Sequence, residues 1–201
     1  LWPMLTKVVN RLKEKLYGKH YLFIYDINQS AALDSIDTTG LETFCYHSFS
    51  ELPQDDIRQM TKDQMAPDEF VAFVQSLFNR SSIMWILKLQ GQLVGWRFAD
   101  LEDEDKENGI TLKPHQAYFH TLEILKDHRR KGFGFQLMLE CFKDLREKGT
   151  REALCLIHVS NKTSYHLHMK FAPKEVKTFF IYSIFKRPIT FWHKTVPLGH
   201  S

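Results

Sequence analysis

The six residues Arg129-Arg130-Lys131-Gly132-Phe133-Gly134 constrain this chain more than any other segment. The two glycines stand at i and i+2, between a strand pattern at 117–125 and a helix pattern at about 134–148. A second apolar strand pattern follows at 153–159. Glycines so placed let successive backbone N–H groups turn into one concavity, where side chains would block an oxygen-rich ligand. The helix start adds unpaired donors and the positive end of its dipole. Lys126, Arg129, Arg130 and Lys131 put four cations on the turn. Together these features make an anion site suited to a pyrophosphate. It is not a nucleotide P-loop, because the chain contains no GxxxxGK(S/T). Nor is it a dinucleotide fingerprint, because only two of the three glycines exist and the turn falls late in the chain.

Around this unit the chain has material for one domain. A length of 201 residues buries a core without disulfide or metal staples. Shares of 43% hydrophobic and 25% charged residues exclude a disordered or collagenous chain. The net charge of +3 allows an anionic ligand without calling for nucleic acid. Cys45, Cys141 and Cys155 are far apart, odd in number and without CxxC spacing. They read as reduced thiols of a cytoplasmic protein, and no metal site is expected. No apolar run reaches the roughly 20 residues of a membrane span. Lys7, Arg11, Lys13 and Lys15 interrupt any signal-peptide pattern.

Periodicity fills in the rest. Leu5, Val8, Val9, Leu12 and Leu16 predict a basic amphipathic helix over 4–17, stopped at Gly18, as an extension occupying residues 1–20. Its basic face is either solvated or a contact for a membrane surface or a carrier protein. A strand at 21–25 precedes a polar, turn-rich stretch over 26–40 and a strand at 41–47. Helices are predicted near 53–62 and 67–79, the second opened by Pro67-Asp68-Glu69. Apolar runs at 84–89 and 92–98 flank Gln90-Gly91 as a hairpin. The acidic run at 100–107 reads as a loop, either solvated or a cation-attracting rim. A short helix over about 162–170 and strands near 176–186 and 190–196 complete a single domain over 21–201. Strands and helices mixed around one sheet make the fold α/β or α+β.

The turn and the segment after it resemble the GNAT superfamily of acyl-CoA-dependent N-acyltransferases. Arg129, Gly132 and Gly134 fill the three fixed places of that family's Gln/Arg-x-x-Gly-x-Gly/Ala motif. Ile157-His158-Val159-Ser160-Asn161, with Ser164 at a small position, begins its second motif, and His168 stands where that motif has a Tyr. The order of elements is similar over 80–198, and more loosely over 20–80 as the family's usual first strand and helix pair. The resemblance implies a mixed, mostly antiparallel central sheet flanked by helices and splayed between the strands at 117–125 and 152–159. It implies acetyl-CoA or another acyl-CoA as co-substrate. Backbone groups of Ile124 and Lys126 would meet the pantetheine arm. The amides of Arg129, Arg130, Lys131, Gly132, Phe133, Gly134 and Phe135 would hold the pyrophosphate, with Asn161 and Ser164 by the thioester arm.

Attack of an amine on a thioester needs a base for the ammonium proton and gains from an acid at the departing thiolate. His120 lies nine residues before Arg129, an offset at which related enzymes acting on arylalkylamines carry a histidine. It shares strand parity with Tyr118, Leu122 and Ile124, and histidine as a residue type titrates near neutrality. Glu123 competes for the base role but has the opposite parity unless a bulge intervenes; Glu42 is a remote third choice. His168, in the place of the Tyr, and Tyr165, three residues earlier on the same helix, compete as acid. The reaction so implied moves an acetyl or other acyl group to a primary amine of a small molecule, in a monomer or homodimer. One alternative uses a longer acyl chain, from CoA or an acyl carrier protein. Another is a module that binds CoA without turnover. Phe44 and Tyr46 would line an apolar acceptor pocket.

Overall fold

A computed structural model describes residues 17–31, 39–62, 66–79, 82–101, 104–105, 110–184 and 187–195. The apolar runs beside Gln90-Gly91 pair as a hairpin of β3 (Ser82–Leu89) and β4 (Gln92–Asp100). Gln90 and Gly91 both take positive φ, 51° and 78°, as a two-residue turn of this kind requires. Before the hairpin come β1 (Tyr17–Asp26), α1 (Ile27–Ala31), β2 (Leu41–Tyr46), α2 (Gln54–Thr61) and α3 (Pro67–Phe78). After it come β5 (Glu104–Asp105), β6 (Ile110–Thr111), β7 (Gln116–Ile124), α4 (Phe133–Glu147), β8 (Glu152–His158), α5 (Lys162–Met169), β9 (Glu175–Ile184) and β10 (Arg187–Thr195).

Among the described residues the main sheet has eight strands in the order β10-β9-β1-β8-β7-β4-β3-β2. Neighbours are antiparallel except β7 and β8, which run parallel with α4 as their crossover. That parallel ladder is short. It joins Gln116–Phe119 to Glu152–Cys155 and stops, although β7 continues to Ile124 and β8 to His158. The two strands splay beyond Phe119 and Cys155.

Helix α4 is placed by its own sequence. Leu137, Met138, Cys141, Phe142 and Leu145 recur at helical spacing and are all buried. Each contributes about 1.5–3 kcal/mol by leaving water. The helix ends at Gly149, φ 81°, with Thr150 N–H donating to Leu145 O and Gly149 N–H to Arg146 O, a Schellman closure. With α1 and α5 it covers one face of the sheet, over Phe23, Tyr25, Leu87, Phe119 and Cys155. Met60 of α2 and Val74 and Leu77 of α3 cover Met84, Ile86, Trp96 and Phe98 on the other.

Three expectations change. The first strand runs inside the sheet. It lies between β8 and β9, pairing Leu22 with Leu156 on one side and Lys177 on the other. It begins at Tyr17, so Gly18 lies inside a strand instead of ending a helix; residues 4–16 of the expected helix lie outside the described residues. The turn-rich stretch after it opens with a helical turn, α1, held by Asp26 Oδ1 accepting from Asn28 N–H. The acidic run is not all loop either. Asp100 ends β4 buried, and Glu104–Asp105 pair with Ile110–Thr111. No helix among the described residues is long and apolar enough to cross a membrane.

Candidate functional site

Gly132 caps α4 in the left-handed region, φ 85° and ψ −10°, and Arg130 is left-handed too, φ 62°. Phe135 and Gln136 N–H both donate to Gly132 O, and Arg129 N–H reaches Lys126 O at 3.4 Å. The N–H groups of Arg130, Lys131, Gly132, Phe133 and Gly134 have no acceptor among the described residues. The amides of Arg129 and Phe135, expected in the same set, are engaged within the turn. Arg130, Lys131 and Lys126 are exposed around it. Five open amides, a helix start and three cations suit a pyrophosphate.

The Arg129 side chain turns away from this cradle. Its Nε donates to Ile124 O at 2.8 Å and its Nη2 to Glu123 Oε1 at 2.6 Å, tying the turn to the end of β7. One lone pair of the Ile124 carbonyl, expected on the pantetheine arm, is therefore taken. Gly134 serves packing: a Cβ there would stand 3.3 Å from Leu167 Cδ2 of α5.

Strand β7 carries one extra residue. Arg97 pairs with Leu122 and Ala99 with Phe119, so two steps along β4 match three along β7. The bulge reverses parity within the strand. Phe119 and, past the bulge, Ile124 both belong to the core under α4, and Leu122 packs against it. Tyr118 and His120 stay on the opposite face, with rings 4.8 Å apart, edge to face. Glu123, opposite Trp96, joins that face. His120 therefore does not share a face with Leu122 and Ile124, and the bulge puts Glu123 on its side. Glu123 is held by Arg129, whereas His120 has its own partner: Nε2 lies 2.5 Å from Asp100 Oδ2. Asp100 Oδ1 in turn accepts from Ser82 Oγ. His120 is the first residue of β7 beyond the ladder to β8. The side chains of His120 and Asp100 are 15% and 6% exposed, so their contact is shielded from bulk screening.

Asp100 and Ser82 escaped sequence reasoning. Asp100 stands first in a run of acidic residues that reads as surface, and no local pattern separates it from its neighbours. A strand ending in Asp at an antiparallel offset from a histidine was the available signal.

His168, expected as a proton donor, is buried, 2% exposed, with Nδ1 hydrogen-bonded to the Tyr25 hydroxyl. Burial, reinforced by the nearby Arg97 charge, holds its pKa well below the ordinary histidine value. It is a neutral imidazole at pH 7 with no proton to give a thiolate, which corrects that expectation. Tyr165 packs on β1, its ring 5.0 Å from Tyr21 and 5.6 Å from Phe23. Asn161 caps α5, its Oδ1 accepting from Ser164 N–H at 3.0 Å. Both residues lie at the β8 side of the splay. Glu42, Phe44 and Tyr46 sit on β2, the outer strand, with β3 and β4 between them and β7. They do not meet the other candidates. A polar recess lined by Gln59, Lys62, Gln92, Lys126 and His128 lies beside the turn, and no residue of the splayed segments lines it.

The fold and family of this arrangement are those of known proteins. A Drosophila protein solved by structural genomics superposes with a TM-score of 0.56 at 14% identity, over 86% of this chain and 56% of that one. A tandem GNAT protein from the clavulanic acid biosynthesis pathway gives 0.59 at 11%, over 87% and 51%. An aminoglycoside acetyltransferase from an uncultured soil metagenomic sample gives 0.51 at 19%, over 69% and 91%. The chain thus spans about half the length of the first two. No curated protein matches it in sequence. The profile of the acetyltransferase (GNAT) family matches residues 45–172, from β2 through α5 and across both the glycine turn and the splay. The chain belongs to the GNAT acetyltransferase family.

Proposed function

We propose that the chain transfers an acyl group from CoA to the primary amine of a small molecule, with His120 as general base. One observation carries the reading: the cradle of open amides and the His120–Asp100 pair flank the stretch of β7 that is unpaired on its β8 side. From His120 to Ile124 is about 13 Å of strand, room for an extended thioester arm whose anionic end rests on Arg130 to Gly134. Asp100 accepts from Nε2–H of His120, which leaves the Nδ1 lone pair to take a proton. His120 removes one proton from the ammonium, and the amine nitrogen then attacks the thioester carbonyl. The C–N bond forms as the C–S bond breaks, and the second ammonium proton leaves with the CoA thiol. Tyr165, on the helix that follows β8, is the remaining candidate for the acid.

The experiment is CoA-thiol release from acetyl-CoA across a panel of amines, amino acids and amino sugars. Turnover that disappears in His120→Ala supports the reading. His168, buried and neutral in the place of the family's Tyr, favours a second reading, a CoA-binding module without turnover. Heat protection by CoA with no thiol release from any amine would establish that one instead.

A further inference from the structure

The guanidinium of Arg97 is buried, 0% exposed, and has no counter-ion among the described residues. Its Cζ lies 3.9 Å from the centre of the Phe119 ring, and its Nη2 is 3.9 Å from Cys155 Sγ. Nε and Nη1 have no hydrogen-bond partner among the described residues. The titratable groups around it come from β1, α4, β8 and α5: Tyr25, Cys141, Cys155 and His168. Burial pushes the phenol and both thiols up, and holds the imidazole unprotonated, so all four are neutral at pH 7. A buried cation among neutral neighbours costs several kcal/mol unless an anion meets it.

The position of this cation is specific. Phe119 and Cys155, which it touches, are the last pair of the parallel ladder and so form the closed end of the splay. Backbone groups of β7 free to meet a thioester carbonyl begin at His120, on the open side. The guanidinium stands instead against Phe119 and Cys155, on the closed side of that point.

We propose that Arg97 binds a carboxylate at the far end of the acyl group, so that the donor is the CoA thioester of a short dicarboxylic acid of malonyl or succinyl size. The proposal rests on the acyl-transfer reading for the identity of the donor. Arg97 itself is a specificity residue and takes no proton. Amide formation runs as above: C–N forms, C–S breaks, CoA leaves as its thiol, and the distal carboxylate is unchanged.

The test measures dissociation constants of acetyl-, butyryl-, malonyl- and succinyl-CoA without amine, and kcat/KM for each with the amine panel. The carboxylated donors should bind at least about 30-fold tighter than butyryl-CoA, the scale of truncating one partner of a buried charge pair. Arg97→Met should erase that preference, leave acetyl-CoA binding unchanged and keep Tm at or above the parent value, because a buried charge has been replaced by an apolar chain. Arg97→Lys should keep part of the preference, and it decides the matter should the methionine variant fold poorly. Equal binding of butyryl- and succinyl-CoA by the parent overturns the proposal. So does a loss in Arg97→Met that is the same for acetyl and succinyl donors, which would mark an oxyanion or packing role. Selectivity in binding without turnover of any donor would sink the transferase reading and leave the carboxylate site standing.

Discussion

Asp100 Oδ2 and His120 Nε2 meet at 2.5 Å across two adjacent strands, with Ser82 Oγ holding the other carboxylate oxygen. An imidazole anchored from one nitrogen presents the other in a fixed direction, which is what a general base at a cleft needs.

Removing the imidazole and removing its anchor should therefore differ. His120→Ala should lower kcat/KM about 100-fold or more. Asp100→Asn keeps the shape but loses the charge; it should lower kcat by a smaller factor, with KM for acyl-CoA little changed. Equal kcat for parent and Asp100→Asn would leave Asp100 with a structural role only.

The cradle can be tested without any acceptor. Gly132 sits at φ 85°, so Gly132→Ala should cost about 1–2 kcal/mol of stability and weaken CoA binding together. Gly132→Asp combined with Gly134→Asp sets two carboxylates against the pyrophosphate and should abolish CoA binding by calorimetry. Retained binding in a folded double variant would place the pyrophosphate elsewhere.

His168 makes stability depend on pH. Its folded-state pKa is depressed by burial and by Arg97, so the unfolded chain takes up the proton first as pH falls. Stability from this group is complete above about pH 6.5, the ordinary histidine value. Below it, stability declines by up to about 1.4 kcal/mol per pH unit until the folded pKa is reached. His168→Gln should flatten that part of the Tm–pH curve while leaving the alkaline side alone. A parallel curve would show that other histidines set the slope.

Gly95 is where β4 closes against the end of β7. A Cβ there would stand 2.4 Å from Glu123 O, 2.6 Å from Ile124 Cδ1 and 3.1 Å from Ile124 Cα. The first and last of these are backbone atoms that cannot swing aside. Gly95→Ala should destabilise by about 1–3 kcal/mol, as overpacking does, and lower Tm accordingly. It should also raise KM for acyl-CoA, because Ile124 leads directly into the turn.

What the sequence disclosed depended on how local each feature is. The glycine turn was legible because Gly132, Gly134 and the cations around them act within a few residues of one another. Helices α3 and α4 were legible from their stripes, which repeat every turn. The place of β1 was not, because Tyr21 to Tyr25 carry apolar side chains suited to any interior strand and name no partner. The bulge in β7 was not, because an extra residue shows only against the register of β4. The alternative left open for Glu123 turned on that one residue, and the structure resolves it by turning Glu123 to the side of His120 and binding it to Arg129. The buried state of His168 was hidden for a related reason: the pocket that strips its proton is assembled from Tyr25, Cys155 and Arg97, which are remote in the chain.

The sandwiching of β1 between β8 and β9 has a consequence for how the protein is made. Leu22 leaves the ribosome long before Leu156 and Lys177, its two neighbours in the sheet. The strand must wait, unpaired and apolar, while the intervening hairpin and helices take shape, and its late docking joins residues more than 100 apart in the chain. During that interval it is an apolar segment open to a chaperone or another nascent chain.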